Sequence, residues 1–185
     1  MQTPATTTPG KIAGTYTVDP IHSSVGFAVR YMGVSTFRSN FSDVQARLSA
    51  ESGELQLEGA AKVDSIGITS PEQFRAHVLG EDFFDAGKYP EIAFKSTRVE
   101  LNDDATATVE GELTIKGVTR PVTAQGTWQG DTAHAFGGER AALQLETTVD
   151  RTEFGLIWNA PLPAGGNALD TQVTLNLELN LIKDS

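Results

Sequence analysis

The nine residues Val173–Leu181, VTLNLELNL, alternate strictly between apolar and polar side chains. Such alternation with a period of two is typical of a β-strand that buries one face. Similar but shorter patterns recur along most of the chain and predict about eight or nine strands joined mostly by short turns. Short turns favour antiparallel neighbours, and closing the sheet on itself removes its exposed edges. We therefore predict an all-β fold, built as a roughly eight-stranded antiparallel β-barrel.

The interruptions of this alternation mark the predicted turns and bends. Turn-forming residues separate successive alternating segments at Ser52-Gly53, Asn102-Asp103-Asp104, Lys116-Gly117 and Gly130-Asp131. Inside the long segment from Thr36 to Ala50, the apolar side chains change from odd-numbered to even-numbered positions, a switch in parity that a β-bulge produces. Because barrels use bulges to bend their strands, this switch is consistent with closure of the sheet.

One long segment, SPEQFRAHVLGEDFFDAGKYP at residues 70–90, departs from strand periodicity. Ser70 has the position of a helix N-cap, Pro71 suits the first helical position, and Gln73 has capping-box spacing. Gly80 provides a left-handed stop. The sequence therefore predicts one short α-helix near Ser70–Leu79.

The predicted helix has a single apolar face that must dock on a larger body. Phe74, His77 and Val78 have the spacing i, i+3 and i+4. A helix this short is unstable alone in water, so its stability must come from packing. Together with Phe83 and Phe84, which follow directly, it is predicted to cap one end of the barrel.

Length, charge and composition narrow the function classes. The chain has 185 residues, no cysteine and a formal net charge of −10. Its length predicts one domain over residues 13–185, after a disordered Thr/Pro-rich tail of residues 1–12. The acidic balance disfavours nucleic acid and anionic membranes as partners. No apolar run suits a signal peptide or a membrane span, so we predict a cytoplasmic protein without membrane insertion.

The aromatic residues indicate what the barrel holds. Each is individually consistent with an ordinary core, but together they favour an apolar ligand cavity. Arginine and histidine side chains near the predicted cap are candidate contacts for a polar head group, although each arginine alone is consistent with a solvated surface charge. The predicted ligand-binding residues are Phe27, Val29, Tyr31, Phe37, Phe41, Phe74, Arg75, His77, Val78, Phe83, Phe84, Phe94, Leu143, Arg151, Phe154 and Trp158.

The three histidines, His22, His77 and His134, are the candidates for other chemistry. None has the spacing of a metal site, and no Gly-x-Ser-x-Gly motif accompanies His22, so we predict neither a metal nor a catalytic triad. His22 is interpreted as a hydrogen-bonding residue at a strand junction. His77 is interpreted either as a buried, satisfied histidine or as the polar contact of a ligand.

Four segments occur in the order TYTVDPIHSSVGFAVRYMGVSTFRSNF, HVLGEDFFDAGKYPEIAFKS, GELTIKGVTRPV and DRTEFGLIWN. Together they resemble the YceI-like family of polyisoprenoid-binding, lipocalin-like proteins, from Gly14 to about Leu181. The resemblance implies a lipocalin-like barrel whose elongated apolar cavity holds a long isoprenoid or similar amphiphile, with no cofactor and no catalytic activity. One departure is Arg75, where members often carry an aspartate, and this change would alter the head group accepted.

Two classes of function follow from these observations. The first is a carrier, store or scavenger of a long-chain lipid such as a polyprenyl chain or an isoprenoid quinone. The second is an enzyme acting on such a lipid, with His22 or His77 as general base. A barrel with a filled core and only a protein partner is the third, less specific alternative. A homodimer is also plausible, because the cap leaves apolar surface at one end.

Overall fold

The computed structural model describes residues 11–50, 53–133 and 137–185, and these form a β-barrel with one short α-helix. The helix α1 covers Glu72–Leu79, and 3₁₀ turns cover Val63–Ser65 and Arg151–Phe154. The strands are β1 (Thr15–Val18), β2 (Ser24–Tyr31), β3 (Ser35–Phe41), β4 (Val44–Ser49), β5 (Gln56–Lys62), β6 (Glu91–Leu101), β7 (Thr106–Ile115), β8 (Val118–Ala133), β9 (Glu139–Asp150) and β10 (Leu169–Lys183).

The sheet closes through β10, which has a different neighbour at each end. Eight strands form the ring β1-β4-β5-β6-β7-β8-β9-β10, and β1 pairs back onto β10. At the lower end of the barrel, Val18 of β1 lies opposite Leu181. Towards the upper end, β2 takes the place of β1, with Val29 opposite Val173. Every pairing is antiparallel, so the predicted eight-stranded antiparallel barrel with one helix is confirmed.

The strand that contains the predicted parity switch divides into β3 and β4 at residues 42 and 43. Above the division β3 pairs with β2, and below it β4 pairs with β1 and β5. The switch in apolar parity therefore marks the point where the strand changes neighbours. Between β3 and β5 the upper wall is completed by the segment of residues 63–90, which contacts β3 through the bridge Phe41–Ile66.

The lower end of the barrel is filled by a closed apolar core. Tyr16, Leu48 and Leu181 are completely shielded from solvent, and Leu143 and Trp128 pack beside them. The half-buried side chain of Ile12 covers this core from the N-terminal side. Residues 1–10 of the predicted disordered tail lie outside the described residues. The core closes the lower end of the barrel, so a cavity in the barrel interior above it opens towards the upper end.

The turn predicted at Gly130-Asp131 is wrong. Strand β8 continues through these residues to Ala133, and its register against β9 shifts between Gln129 and Thr132. A larger residue would not fit at Gly130, because a Cβ atom there would lie 2.8 Å from Cδ1 of Ile12 and 3.1 Å from the ring of Trp128. The Lys116-Gly117 turn does form, with φ of +50° and +74° at the two residues, as tight hairpin turns require.

The helix lies where the sequence places it, but both predicted end signals are wrong. Pro71 occupies the N-cap position, one residue after Ser70, and no side chain caps the first turn. At the other end, Gly80 has φ −83° and ψ −175°, an extended conformation and not a left-handed one. The helix is instead held by packing, since Val78 is buried against Phe41, Ile66 and neighbouring apolar residues. Among the described residues, no helix combines the length and apolarity needed to cross a bilayer.

Candidate functional site

The upper half of the barrel contains a cavity of about 600 Å³, which we call the upper cavity. Its mouth lies between the β2–β3 turn, α1 and the loop after Trp158. The wall is mostly apolar, and Arg151, His77 and Tyr31 are its titratable members. The lining residues are Phe27, Val29, Tyr31, Ser35, Thr36, Phe37, Phe41, Ile68, Phe74, His77, Val78, Phe83, Phe84, Ile92, Ile115, Val149, Arg151, Phe154, Leu156, Trp158, Ala160, Ala168, Leu169, Val173 and Leu175.

A smaller apolar cavity of about 130 Å³ lies below it, and we call this the lower cavity. The two cavities share the wall residues Phe41, Ile92, Ile115 and Leu175, which form a collar between them. An empty apolar cavity costs stability at about 24 cal/mol per Å³, so the lower cavity alone costs about 3 kcal/mol when empty. Filling it with an apolar group would recover part of that free energy.

Aromatic rings connect the sheet to the cap along one side of the upper cavity. Phe27 lies between Phe37 and Phe41, with ring centroids 6.1 and 5.8 Å away. Phe37 meets Phe74 of α1 edge to face at 5.8 Å, and Phe41 meets Phe84 edge to face at 6.0 Å. Such ring pairs prefer tilted and edge-to-face geometries at these distances. Five of the aromatic residues predicted for the cavity therefore form one continuous wall.

His77 lies at the mouth of the upper cavity within an aromatic cluster. Its ring meets Trp158 at 4.8 Å and Phe83 at 5.2 Å, both edge to face. Its Nε2 atom is 3.0 Å from Oδ2 of Asp82. The carboxylate fixes the ring orientation, so the imidazole is held at the cavity wall with Asp82 on its outer side. Of the two interpretations of His77, the position of its ring is compatible with a polar ligand contact.

Arg151 ties the mouth loop to the barrel. The guanidinium is buried and donates to the backbone oxygens of Asp170, Leu156 and Trp158, with the Asp170 bond at 2.8 Å and the Trp158 bond at 2.9 Å. Burial lowers the pKa of Arg151, while the nearby carboxylates of Asp150 and Asp170 act to raise it. An arginine fork can satisfy several carbonyl groups at once. This side chain therefore sets the path of the loop that carries Trp158.

Asn159 and Asp150 complete the anchoring of this loop, and the sequence reasoning did not identify either. The Asn159 side-chain oxygen accepts from the Leu169 amide at 2.9 Å, and its amide donates to the Leu169 carbonyl at 2.7 Å. Asp150 caps the 3₁₀ turn by accepting from the backbone and hydroxyl of Thr152, contacts that lower the pKa of its carboxyl. The Asn and Asp side chains were the available signals, because both favour caps and turns.

The opposite, lower end of the barrel carries the second histidine–aspartate pair. Nδ1 of His22 lies 2.7 Å from Oδ2 of Asp19, and the same oxygen accepts from Arg140 at 2.8 Å. Arg140 also donates to Oδ1 of Asn180 at 2.9 Å. The hydroxyl of Ser23 is bonded to the Asn180 backbone. His22 therefore fastens the β1–β2 junction and does not line either cavity, as its interpretation as a junction residue predicts.

Hydrogen bonds from His22 and Arg140, with the backbone amide of Ile21, hold the pKa of Asp19 well below its usual range. Because the folded-state pKa is lowered, the carboxylate stabilises the fold above its unfolded pKa of about 4, and this stabilisation is lost as the pH falls through the folded value.

We expect Asp19→Asn to lower the urea midpoint at pH 7, with a difference from the wild type that shrinks below about pH 4. Urea titrations across this range would measure it.

The control for this variant is Asp103→Asn, which changes an exposed carboxylate in the β6–β7 turn. We expect its urea midpoint to follow that of the wild type across the same pH range. A deficit of Asp19→Asn that stays constant from pH 7 down to pH 2 would contradict the assignment of the pH dependence to this carboxylate.

Among the described residues, metal-ligating side chains do not converge at either end of the barrel. Within residues 11–50, 53–133 and 137–185, no three side chains of His, Asp or Glu are arranged to hold a metal ion. His134 lies outside the described residues.

Comparison with known proteins agrees with the barrel fold. The model of the YceI-like domain matches residues 16–181. The chain belongs to the YceI-like family. A UPF0312 protein of Pseudomonas putida is 33% identical over 138 residues, which are 73% of this chain and 71% of that protein. A UPF0312 protein of Pseudomonas savastanoi pv. phaseolicola is 30% identical over 176 residues, 91% of this chain and 85% of its relative.

Solved structures share the fold of this YceI-like chain. The crystal structure of BcnA from Burkholderia cenocepacia superposes with a TM-score of 0.70 at 20% identity, covering 88% of this chain and 98% of BcnA. A polyisoprenoid binding domain from Saccharophagus degradans, implicated in plant cell wall breakdown, superposes with a TM-score of 0.68 at 16% identity. That comparison covers 94% of this chain and all of the domain.

The segments that resemble the YceI-like family pack against one another in the barrel. Tyr89 covers Gly117, where a Cβ atom would lie 2.6 Å from the tyrosine ring. Lys116 donates to the backbone oxygen of Glu81 at 2.6 Å and joins the cap to the β7–β8 turn. The cap is thus pinned to the rim of the barrel by a turn that is distant in sequence.

Three predicted site residues of the YceI-like chain lie away from the upper cavity. Arg75 uses its guanidinium on the backbone oxygens of Asp64, Ile66 and Ile68, and it holds the cap instead of facing the mouth. Leu143 belongs to the closed core below both cavities. Of the two cavities, Phe94 lines the lower one and not the upper one. The remaining thirteen of the sixteen line the upper cavity, where Phe41 also belongs to the collar.

Several residues of the cavity wall were not among the predicted site residues, although the alternation of their strands indicated that they face inward. Ile92, Ile115, Val149 and Leu175 lie on the inward parity of their strands and line the upper cavity. Alternation showed that they face inward, but it did not show whether they border a cavity or fill the core. That difference depends on how far along the barrel axis each residue lies.

Proposed function

We propose that this protein binds a long-chain isoprenoid lipid, a polyprenyl chain or an isoprenoid quinone, or a similar amphiphile, as a carrier, store or scavenger. The observation that carries the proposal is the upper cavity. It has about 600 Å³ of space behind an almost wholly apolar wall, and it opens at one end only. Cavities of this size and polarity are typical of sites for small apolar ligands.

The distribution of polar groups supports one orientation of the ligand. The polar members of the wall lie near the mouth, where His77 is held by Asp82 and Arg151 borders the loop. The lower part of the wall offers only apolar side chains to a ligand. An amphiphile would therefore place its apolar chain along the barrel axis and keep its polar end at the mouth. Each buried methylene adds about 0.8 kcal/mol to such binding.

Resemblance to a domain named for polyisoprenoid binding supports the same ligand class. We infer binding, as the family resemblance implies. Of the two candidate bases of the enzyme alternative, His22 lies at the opposite end of the barrel from the cavity mouth. The other candidate, His77, borders the cavity, so the enzyme alternative reduces to this one residue. A cytoplasmic location and a homodimer stay predictions from the sequence, and light scattering at micromolar concentrations would test the second.

Native mass spectrometry of the purified protein, followed by solvent extraction and identification of the extract, tests the proposal. We expect a bound mass that extracts as a long-chain lipid, or uptake of added isoprenoid quinone by the emptied protein. His77→Gln serves as a companion variant, in which the ligand should be recovered chemically unchanged, as from the wild type. An empty protein that takes up no isoprenoid quinone, polyprenol or fatty acyl amide would contradict the proposal. Chemical conversion of an added lipid by the wild type alone would favour the enzyme.

A further inference from the structure

We propose that the lower cavity selects chain length by receiving the last isoprene unit of a chain that fills the upper cavity. This inference rests on the proposed function and adds that the barrel distinguishes ligands by the length of their apolar chain. It follows from the size of the lower cavity, its position at the closed end and the collar that connects it to the upper cavity.

The lower cavity exists because small residues line the middle of the barrel. Ala46, Ala61 and Ala124 line the lower cavity together with Gly59. Gly111 is buried on the neighbouring strand β7 and packs against Phe94 of the cavity wall. Larger side chains resume directly below, in the closed core of Tyr16, Leu48 and Leu181. The small residues therefore leave space above a fixed floor.

The position of Phe94 depends on one of these glycines. Phe94 projects into the barrel beside Gly111, where a Cβ atom would lie 2.5 Å from both the Phe94 ring and the Lys95 carbonyl oxygen. Gly111 thus lets the ring lie against the sheet and not across the lower cavity. The space is maintained by close packing around it.

The volumes predict how much chain each cavity holds. An apolar cavity of about 150 Å³ takes up benzene, which corresponds to about 25 Å³ per carbon atom. On that scale the lower cavity accepts about five carbons, one isoprene unit, and the upper cavity accepts about four to five units. A chain of about five or six units would therefore fill both.

The collar between the cavities is apolar, so a hydrocarbon chain meets no polar barrier on its way down. It consists of Phe41, Ile92, Ile115 and Leu175, and Phe41 is itself braced by Phe27 and Phe84. A chain that passes the collar ends on the floor of the lower cavity. A longer chain would have to leave its remaining units at the mouth, where burial adds no further affinity.

Titration of the wild type with linear prenyl alcohols of three to eight isoprene units tests the inference, with affinities from native mass spectrometry or calorimetry. We expect affinity to rise with each unit up to about five or six and then to level off, since each buried methylene adds about fourfold. Ala124→Leu places a larger side chain in the lower cavity. It should lower the affinity for the six-unit alcohol at least tenfold and leave the affinity for the three-unit alcohol unchanged.

Gln125→Leu adds the same side chain to the exposed face of the same strand and is expected to keep the wild-type profile. Ala61→Leu, from β5, fills the lower cavity from another strand and should act as Ala124→Leu does. Equal losses at every length, or no change in either filled variant, would overturn the inference. So would a wild-type affinity that does not depend on length. Failure of every alcohol to bind the wild type would instead remove the proposed function.

Discussion

Phe84→Asp is expected to lower the affinity for a long prenyl alcohol by at least about a hundredfold, because it places a carboxylate in an apolar wall. Phe84 borders the upper cavity and packs edge to face on Phe41 of the collar. A ligand chain at this position would strip water from the introduced carboxylate without offering a hydrogen bond. Burial of that carboxylate raises its pKa, so part of the affinity should return when the pH is lowered.

Two further variants separate the effect of charge from the loss of the ring. Phe84→Asn removes the same ring without adding a charge, so its affinity should lie between those of the wild type and Phe84→Asp and should not depend on pH. Val34→Asp introduces the same charge on the exposed β2–β3 turn and is expected to bind as the wild type does. Calorimetry with one prenyl alcohol at pH 7 and pH 5 measures all four proteins. Equal binding by Phe84→Asp and the wild type would place the ligand elsewhere.

Arg151→Met is expected to lower the free energy of unfolding by about 3 kcal/mol or more. The guanidinium is buried and satisfies backbone oxygens of Leu156, Trp158 and Asp170, which methionine would leave without a donor. Each buried acceptor that loses its partner costs about 1–3 kcal/mol. Because these bonds hold the loop that carries Trp158, ligand affinity should fall together with stability. Urea denaturation and prenyl alcohol titration measure the two effects.

Arg120→Met is the matched control, because Arg120 is exposed on β8. Within the part of the chain that the structure describes, its side chain donates only to the backbone oxygen of Thr119. We expect it to change stability by no more than about 0.5 kcal/mol. Arg151→Lys keeps the charge but loses the planar fork, and it should recover only a minor part of the stability. If Arg151→Lys were as stable as the wild type, the charge and not the fork would hold the loop.

The contacts of the mouth loop explain one of the segments that resemble the YceI-like family. In DRTEFGLIWN, Asp150 caps the turn, Arg151 binds the loop carbonyls and Asn159 attaches the loop to β10. Trp158, which the loop carries, then meets His77 from the other side of the mouth. The segment DRTEFGLIWN therefore builds one side of the cavity mouth.

The sequence by itself determined which residues face inward and where the strand pattern is interrupted. Strict alternation in VTLNLELNL corresponds to β10, the parity switch corresponds to the division between β3 and β4, and the non-alternating segment contains α1. Burial on one face of a strand leaves a local period that a single sequence shows. For the same reason most of the aromatic residues of the cavity were predictable.

Only the tertiary structure decided which of these residues meet and which leave space. Gly126 shows the reason, because a Cβ atom there would lie 1.8 Å from the carbonyl oxygen of Gln144 on the neighbouring strand. Arg75 and Arg151 are both arginines, yet Arg75 holds the cap and Arg151 holds the mouth loop. These contacts depend on strand register and on closure of the barrel. Both join residues far apart in the chain, and local periodicity carries no information about them.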